Sequence, residues 1–88
     1  MSEIYIVQAE YLDKIKCSSM TCTCGWNPYY GFAKKRCHAI VEEDIQEGTI
    51  PDATKGSWNE PYDDIYVYED DEKYICISVE AVDPIESK

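Results

Sequence analysis

Basic residues are scarce in this sequence, which has 8 lysines and arginines against 18 aspartates and glutamates, for a formal net charge of −10. A surface with this excess of acid repels nucleic acid and anionic membranes, and it attracts basic proteins, including those that normally bind nucleic acid. We therefore expect no direct contact with nucleic acid or membrane. The expected partner is a basic, nucleic-acid-binding protein.

Long apolar runs are also missing. No stretch approaches the roughly 20 apolar residues of a membrane-spanning helix, and the first residues do not show the basic and then apolar pattern of a secretory signal. We therefore expect a cytoplasmic location. The five cysteines agree with this, because an odd number does not suit a fully paired disulfide framework and cytosolic thiols stay reduced.

Catalytic signatures are absent as well. Glycine is sparse, and the sequence contains no Gly-x-Ser-x-Gly motif, phosphate loop or dinucleotide fingerprint. Cys37 and His38 are adjacent, but neighbours on a helix point about 100° apart and cannot form a nucleophile–base pair. We expect His38 to be an exposed helical residue, and the protein to be non-enzymatic and to need no cofactor.

One helix is predicted between Asn27 and Gly48. Asn27 is a favoured N-cap, and Pro28 suits the first helical position because its missing N–H would have no intrahelical partner there. Gly48 suits the left-handed residue that ends many helices. Apolar residues at three- and four-residue spacing predict a buried stripe, comprising Tyr30, Ala33, Cys37, Ile40, Val41 and Ile45.

The charges of this helix run against its dipole. A helix favours acids near its start and bases near its end, by roughly 0.3–1 kcal/mol per well-placed charge, and here the order is reversed. Either both groups are solvated and screened, or the layout serves a partner. The basic half carries Lys34, Lys35 and Arg36, and the acidic half carries Glu42, Glu43, Asp44 and Glu47.

Two other segments predict strands. Residues 3–12 are rich in β-branched and aromatic side chains on both faces, which favours an inner strand, and residues 65–82 contain two strand patterns joined by an acidic turn. Residues 13–26 and 49–64 are predicted to be loops, although a short strand could lie in the first. Residues 83–88 are predicted to be a frayed tail.

The turn within residues 65–82 leaves the strand register open, because no Asn-Gly or Asp-Gly fixes it. Both faces are partly apolar in either register, and one helix covers only one of them. A two-residue turn at Asp71-Glu72 places Tyr66, Tyr68, Ile75, Ile77 and Val79 on one face, whereas a three-residue loop places Ile65, Val67, Ile75, Ile77 and Val79 there. The sequence thus predicts an α+β fold, a single small domain with a mainly antiparallel sheet of three or four strands and one amphipathic helix packed across it.

A zinc-stabilised interaction module is the alternative reading of the cysteine-rich segment. Zinc needs four converging ligands, and the candidates are Cys17, Cys22, Cys24 and Cys37. The spacing of Cys22 and Cys24 is one residue shorter than the usual Cys-x2-Cys, and Cys37 falls on the apolar stripe. Free thiols are therefore the expectation, and no metal is expected.

The segment 60–72 is the predicted partner-binding surface. It is dense in acids and contains no basic residue, and such density costs stability through self-repulsion. Acids two apart on a strand stand about 6.8 Å apart on one face, so the segment could present a row of charges as phosphates do. Either the acids only keep the chain soluble, or they occupy the basic groove of a partner, with Tyr66 or Tyr68 supplying apolar anchorage and Tyr62 as a further candidate. The residues are Glu60, Asp63, Asp64, Tyr66, Tyr68, Glu69, Asp70, Asp71 and Glu72.

In size, acidity and tyrosine content the chain resembles the small acidic proteins common in phage genomes. Small viral inhibitors of host defence, the anti-restriction and anti-CRISPR proteins, are similar to it in size and acidity. The resemblance covers no specific motif. It implies an inhibitor that works in the host cytoplasm by charge mimicry of nucleic acid.

Overall fold

A computed structural model describes residues 4–82 and has an α+β architecture. Its strands are β1 (Ile4–Asp13), β2 (Ser18–Asn27), β3 (Gly56–Trp58), β4 (Ile65–Glu69) and β5 (Lys73–Val82), and its helix is α1 (Tyr30–Glu47), with a short 3-10 helix at Ala53–Lys55. The strands form one antiparallel sheet in the order β2-β1-β5-β4-β3. The fold class is confirmed, but the sheet has five strands rather than three or four. The predicted frayed tail lies outside the described residues.

The strand β2 lies within a segment predicted to be a loop. It pairs with β1 through a hairpin, and the register shifts between Val7 and Gln8 because Cys24 of β2 has no partner there. Most of its side chains are exposed because it is an edge strand with no element over most of its length. An exposed edge strand needs no apolar alternation, which is why its serines, threonines and cysteines gave no periodic signal. The predicted inner position of β1, between β2 and β5, is confirmed.

The hairpin of β4 and β5 takes the first of the two predicted registers. Tyr68 pairs with Ile75 and Tyr66 with Ile77, and the Asp70 N–H donates to the Lys73 carbonyl at 3.0 Å. The two-residue turn at Asp71-Glu72 therefore sets the pairing. It directs Tyr66, Tyr68, Ile75, Ile77 and Val79 toward α1, where all five are buried.

The helix α1 lies across one face of the sheet and contacts β1, β5 and β2. Its predicted stripe is confirmed, since Ala33, Cys37, Ile40 and Val41 are buried and Tyr30 and Ile45 pack partly buried against the same core. Asp44 is also buried on this face, and its carboxylate accepts a hydrogen bond from the Tyr11 hydroxyl at 2.7 Å. That bond ties the acidic half of the helix to β1.

The helix begins later than the sequence predicts. Asn27 is the last residue of β2, and its side chain accepts a hydrogen bond from the Tyr29 N–H at 2.9 Å. The N-cap position falls on Tyr29 without a side-chain cap, so Pro28 lies in the turn before the helix. The end is as predicted, because Gly48 adopts a left-handed conformation with φ of 87°.

Candidate functional site

The acidic segment 60–72 is divided into two groups by β4. Residues 59–64 precede the strand and form what we name the loop site, and residues 69–72, from the last residue of β4 through the turn, form the turn site. The nearest members of the two groups, Asp64 and Glu69, are five residues apart, about 17 Å along an extended strand. This distance exceeds the Debye length of about 8 Å at physiological ionic strength. The acids therefore form two sites rather than the single row of charge that the sequence suggested.

The loop site is organised by Asn59. Its side-chain oxygen accepts hydrogen bonds from the N–H groups of Asp64 at 2.9 Å and Ile65 at 2.8 Å. Its amide nitrogen donates to one carboxylate oxygen of Asp64 at 3.0 Å, and the Tyr30 hydroxyl donates to the other at 2.8 Å. Burial and this hydrogen bond raise the pKa of Tyr30 to about 12. Asp64 is therefore a structural acceptor, and the charges that the loop presents are those of Glu60 and Asp63.

The helix fixes the position of this loop through His38. Its Nε2 atom lies 2.7 Å from the Asp63 carbonyl oxygen, and because a carbonyl only accepts, this nitrogen carries the proton and donates. The imidazole also stacks on the Trp58 indole, with ring centroids 3.8 Å apart. The expectation of an exposed His38 is therefore wrong, because the side chain is half-buried and joins α1 to the loop site.

The turn site is shaped by Asp70. Its carboxylate accepts hydrogen bonds from the Tyr68 hydroxyl and from the N–H groups of Glu72 and Lys73, which lowers the pKa of Asp70 to about 2. The same contact raises the pKa of Tyr68 to about 12. Asp70 thus holds the turn together. Asp71 and Glu72 project from it as exposed carboxylates that accept no hydrogen bond among the described residues.

The predicted apolar anchors Tyr66 and Tyr68 are not on the surface. They are 3% and 0% exposed because β4 directs both rings into the core. They therefore cannot anchor a partner, and that part of the prediction is wrong. Tyr62 is 64% exposed and lies between Glu60 and Asp63 in the loop site, so it is the tyrosine of this segment that a partner can reach.

Ion pairing within the chain neutralises little of the acidic charge. All acidic residues except Glu3, Asp83 and Glu86 lie in the described range, which contains a single ion pair, between Lys14 and Glu69 at 2.7 Å. This pair belongs to the turn site, so Glu69 is the member of that site whose charge is already compensated. The exposed carboxylates of Glu60, Asp71 and Glu72 have no such partner among the described residues, so they can accept hydrogen bonds from arginine or lysine side chains of another molecule.

The cysteines do not converge on a metal site. Among residues 4–82 no group of three or more histidine, cysteine, aspartate or glutamate side chains is placed to hold a metal ion. The Sγ atoms of Cys22 and Cys24 lie 3.8 Å apart, but Cys37 is buried with its thiol against the Ile77 carbonyl and Cys17 lies in the turn after β1. The suggested set of four zinc ligands is therefore not assembled.

Sequence reasoning missed an exposed aromatic cluster at the start of α1. Trp26 and Tyr29 are each 65% exposed and Phe32 is 57% exposed, and the Tyr29 and Phe32 rings meet edge to face at 6.0 Å. The available signal was the Asn-Pro-Tyr sequence, because Pro28 and Tyr29 lie in the turn between β2 and α1 and side chains in such turns face solvent more often than those within elements. These side chains expose apolar surface near the start of α1, where Tyr30 contacts Asp64 of the loop site at 2.8 Å.

Membrane insertion through a helix has no support in the part of the chain that is described, since α1 is too polar to span a bilayer. The two acidic sites and the exposed aromatic side chains are accordingly the surface features from which a role is inferred. Comparisons of the chain with models of known protein families, with curated proteins and with solved structures found no match.

Proposed function

We propose that this protein is a small, acidic, non-enzymatic binding protein that occupies the basic groove of a nucleic-acid-binding protein and blocks it by charge mimicry. The loop site and the turn site supply the charges, and Tyr62 replaces Tyr66 and Tyr68 as the apolar anchor. In this proposal the partner is a host defence protein and the complex forms in the host cytoplasm. The resemblance in size and acidity to viral inhibitors of host defence supports that choice of partner.

The observation that carries the proposal is the lack of internal compensation for the acidic charge. With one ion pair in the described range and a net charge of −10, the folded chain retains self-repulsion that a basic partner would relieve. A groove that binds nucleic acid offers many lysine and arginine side chains, and carboxylates bind these through charge-assisted hydrogen bonds as phosphates do.

The loop site also has the rigidity that favours binding. The bonds of Asn59, Tyr30 and His38 hold the backbone of residues 59–64 before any partner arrives. A preordered loop loses less conformational entropy on binding than a flexible one. Tyr62 stands on this fixed backbone, and an exposed tyrosine beside charged residues is a frequent energetic centre of protein interfaces.

The thiols support a role without catalysis. A nucleophilic cysteine requires a lowered pKa, but burial raises the pKa of Cys37 to about 12 and that of Cys24 to about 11. Burial also raises the pKa of Cys76. His38, the sole histidine, donates to a backbone carbonyl rather than to a nucleophile.

Removing the exposed acids of the two sites should weaken partner binding. We expect the triple variant Glu60→Gln, Asp71→Asn and Glu72→Gln to bind at least about tenfold more weakly, a loss of about 1.4 kcal/mol. The measurement is titration calorimetry with the partner that the wild-type protein captures from a host lysate. Wild-type affinity should also fall steeply as salt is raised. Asp64 and Asp70 are left intact because both carboxylates hold the fold.

The matched control makes the same charge change elsewhere. Glu42→Gln, Glu43→Gln and Glu47→Gln remove three exposed charges from α1, and this variant should bind within about twofold of the wild type if the loop and turn sites form the interface. Equal losses in the two triple variants would show that only total charge matters. Unchanged affinity in the first variant, with folding verified by circular dichroism, would reject both acidic sites as the interface.

A further inference from the structure

The sheet has a second face that no described element covers. Val7 and Ala9 are buried under α1, so the alternate residues of β1 point to the opposite side. We name this side the open face. Antiparallel sheets commonly leave one face to water, and the side chains there are then polar.

The open face instead carries apolar side chains around a polar centre that includes Gln8 and Ser78. Residues directly opposite one another on paired strands share a face, so Ile6 is flanked by Trp26 and Glu80, and Val67 by Cys76 and Ser57. Leu12 of β1 lies on the same side. Trp26 is 65% exposed and Ile65 at the start of β4 is 36% exposed, so apolar surface faces solvent across several strands.

The charges at the centre of this face are acidic. Glu10 and Glu80 are exposed and border a shallow depression that also includes Gln8, Cys76 and Ser78. Both carboxylates lie close enough to Cys76 to contribute to its raised pKa, after burial as the larger cause. The strands themselves place no lysine or arginine on the open face, and Lys14, which follows β1, is already paired there with Glu69 of β4 at 2.7 Å. A second copy of the chain would therefore bring glutamates against glutamates, which disfavours self-association through this face.

We propose that the open face binds an amphipathic helix of a partner, with the helix's apolar residues on Ile6, Trp26 and Val67 and its lysine or arginine residues on Glu10 and Glu80. This inference rests on the proposed function for the basic character of the partner, and it adds the segment that is recognised. The dimensions agree, since β1 and β5 are ten residues each, about 34 Å long, the length of a helix of roughly 20 residues. A helix there would complete a helix–sheet–helix sandwich.

The test uses the full-length protein and synthetic peptides of about 18 residues. One peptide is an amphipathic helix of leucine and lysine, a second has glutamate in place of every lysine, and a third is the first peptide shuffled so that leucine covers no single face. Binding is followed by fluorescence anisotropy, and the contact surface is mapped from amide shifts in nitrogen-15 NMR spectra. We expect only the basic amphipathic peptide to bind, with the largest shifts in β1, β5 and at Trp26.

Two matched double variants decide the role of the charges. The double variant Glu10→Gln and Glu80→Gln should bind the basic peptide about tenfold or more weakly than the wild type. The double variant Glu42→Gln and Glu43→Gln makes the same charge change on α1 and should change this affinity by less than about twofold. Trp26→Ser should also weaken binding of the basic peptide. Because Trp26 is exposed, this variant should fold. Absence of binding, equal binding of the acidic peptide, equal losses in both double variants, or shifts confined to residues 59–72 would each overturn the proposal.

Failure of this inference is distinguishable from failure of the proposed function. The variant with changes at Glu60, Asp71 and Glu72 should retain peptide binding, because none of these residues lies on the open face. If the peptide binds the open face and the captured partner binds the variant changed at Glu60, Asp71 and Glu72 as tightly as the wild type, the proposed function fails and the open-face site stands. If changes in the loop and turn sites weaken partner binding but the peptide does not bind, only the open-face proposal is rejected.

Discussion

Replacing Ile40 by alanine should lower the free energy of unfolding by about 2–4 kcal/mol. Ile40 lies on the buried stripe of α1 and is 7% exposed, in the same cluster as Ile77 and Tyr66 of the sheet. The change removes apolar contacts and leaves a cavity that the sheet fills only in part, since β5 is held between β1 and β4. Urea unfolding followed by circular dichroism measures the loss.

The control for Ile40 is a second large apolar residue of the same helix. Phe32 is 57% exposed, so Phe32→Ala should change the free energy of unfolding by about 0.5 kcal/mol or less. The pair separates the effect of the core from any general effect of alanine on the helix. A loss below about 0.5 kcal/mol in Ile40→Ala would contradict the position of α1 on the sheet.

Replacing Gly56 by alanine should cost about 3 kcal/mol, the upper end of the usual range for overpacking a core. A Cβ at this position would overlap the phenol ring of Tyr66, which lies buried on the neighbouring strand. The backbone of Gly56 has φ of −117°, which any residue adopts, so the cost comes from steric overlap and not from conformation. Tyr66 would have to leave its place beside Trp58, which it meets edge to face.

Two comparisons isolate this overlap. Gly31→Ala is the same chemical change in α1, where a Cβ meets no atom within 4 Å, and it should stabilise the protein by roughly 0.5 kcal/mol. In a Tyr66→Phe background the Gly56→Ala change should cost less, because the hydroxyl is the nearest overlapping atom. Equal costs in the two backgrounds, measured by urea unfolding, would place the clash elsewhere.

The parts of the fold that were predictable are those in which burial imposes a period. The stripe from Ala33 to Val41 repeats at helical spacing because one side of α1 packs on the sheet, and Gly48 marks its end by its left-handed backbone. The strand β2 left no such period, because an edge strand with exposed side chains satisfies its backbone through pairing alone. Pairing is a non-local property, and composition within 18–27 does not encode it.

The two tyrosines of β4 show why the site was only partly predictable. Tyr68 lies among acidic residues in the sequence, which suggested a surface position. Its ring is in the core, and its hydroxyl donates a hydrogen bond to Asp70 in the turn. An amphipathic side chain can thus be buried along its apolar part while its polar end reaches the surface. Which face of β4 is buried depends on the register of the turn, and the sequence left two registers open. The split of the acids into two sites follows from the length of β4, which local charge density does not reveal.

Competition with nucleic acid tests the central claim most directly. The captured partner is first bound to its own fluorescently labelled nucleic acid, and this protein is then added while the anisotropy of the label is followed. Charge mimicry predicts release of the nucleic acid at protein concentrations near the Kd of the protein complex, with less release by the variant carrying Glu60→Gln, Asp71→Asn and Glu72→Gln. A stable ternary complex, with the nucleic acid retained at saturating protein, would contradict the claim.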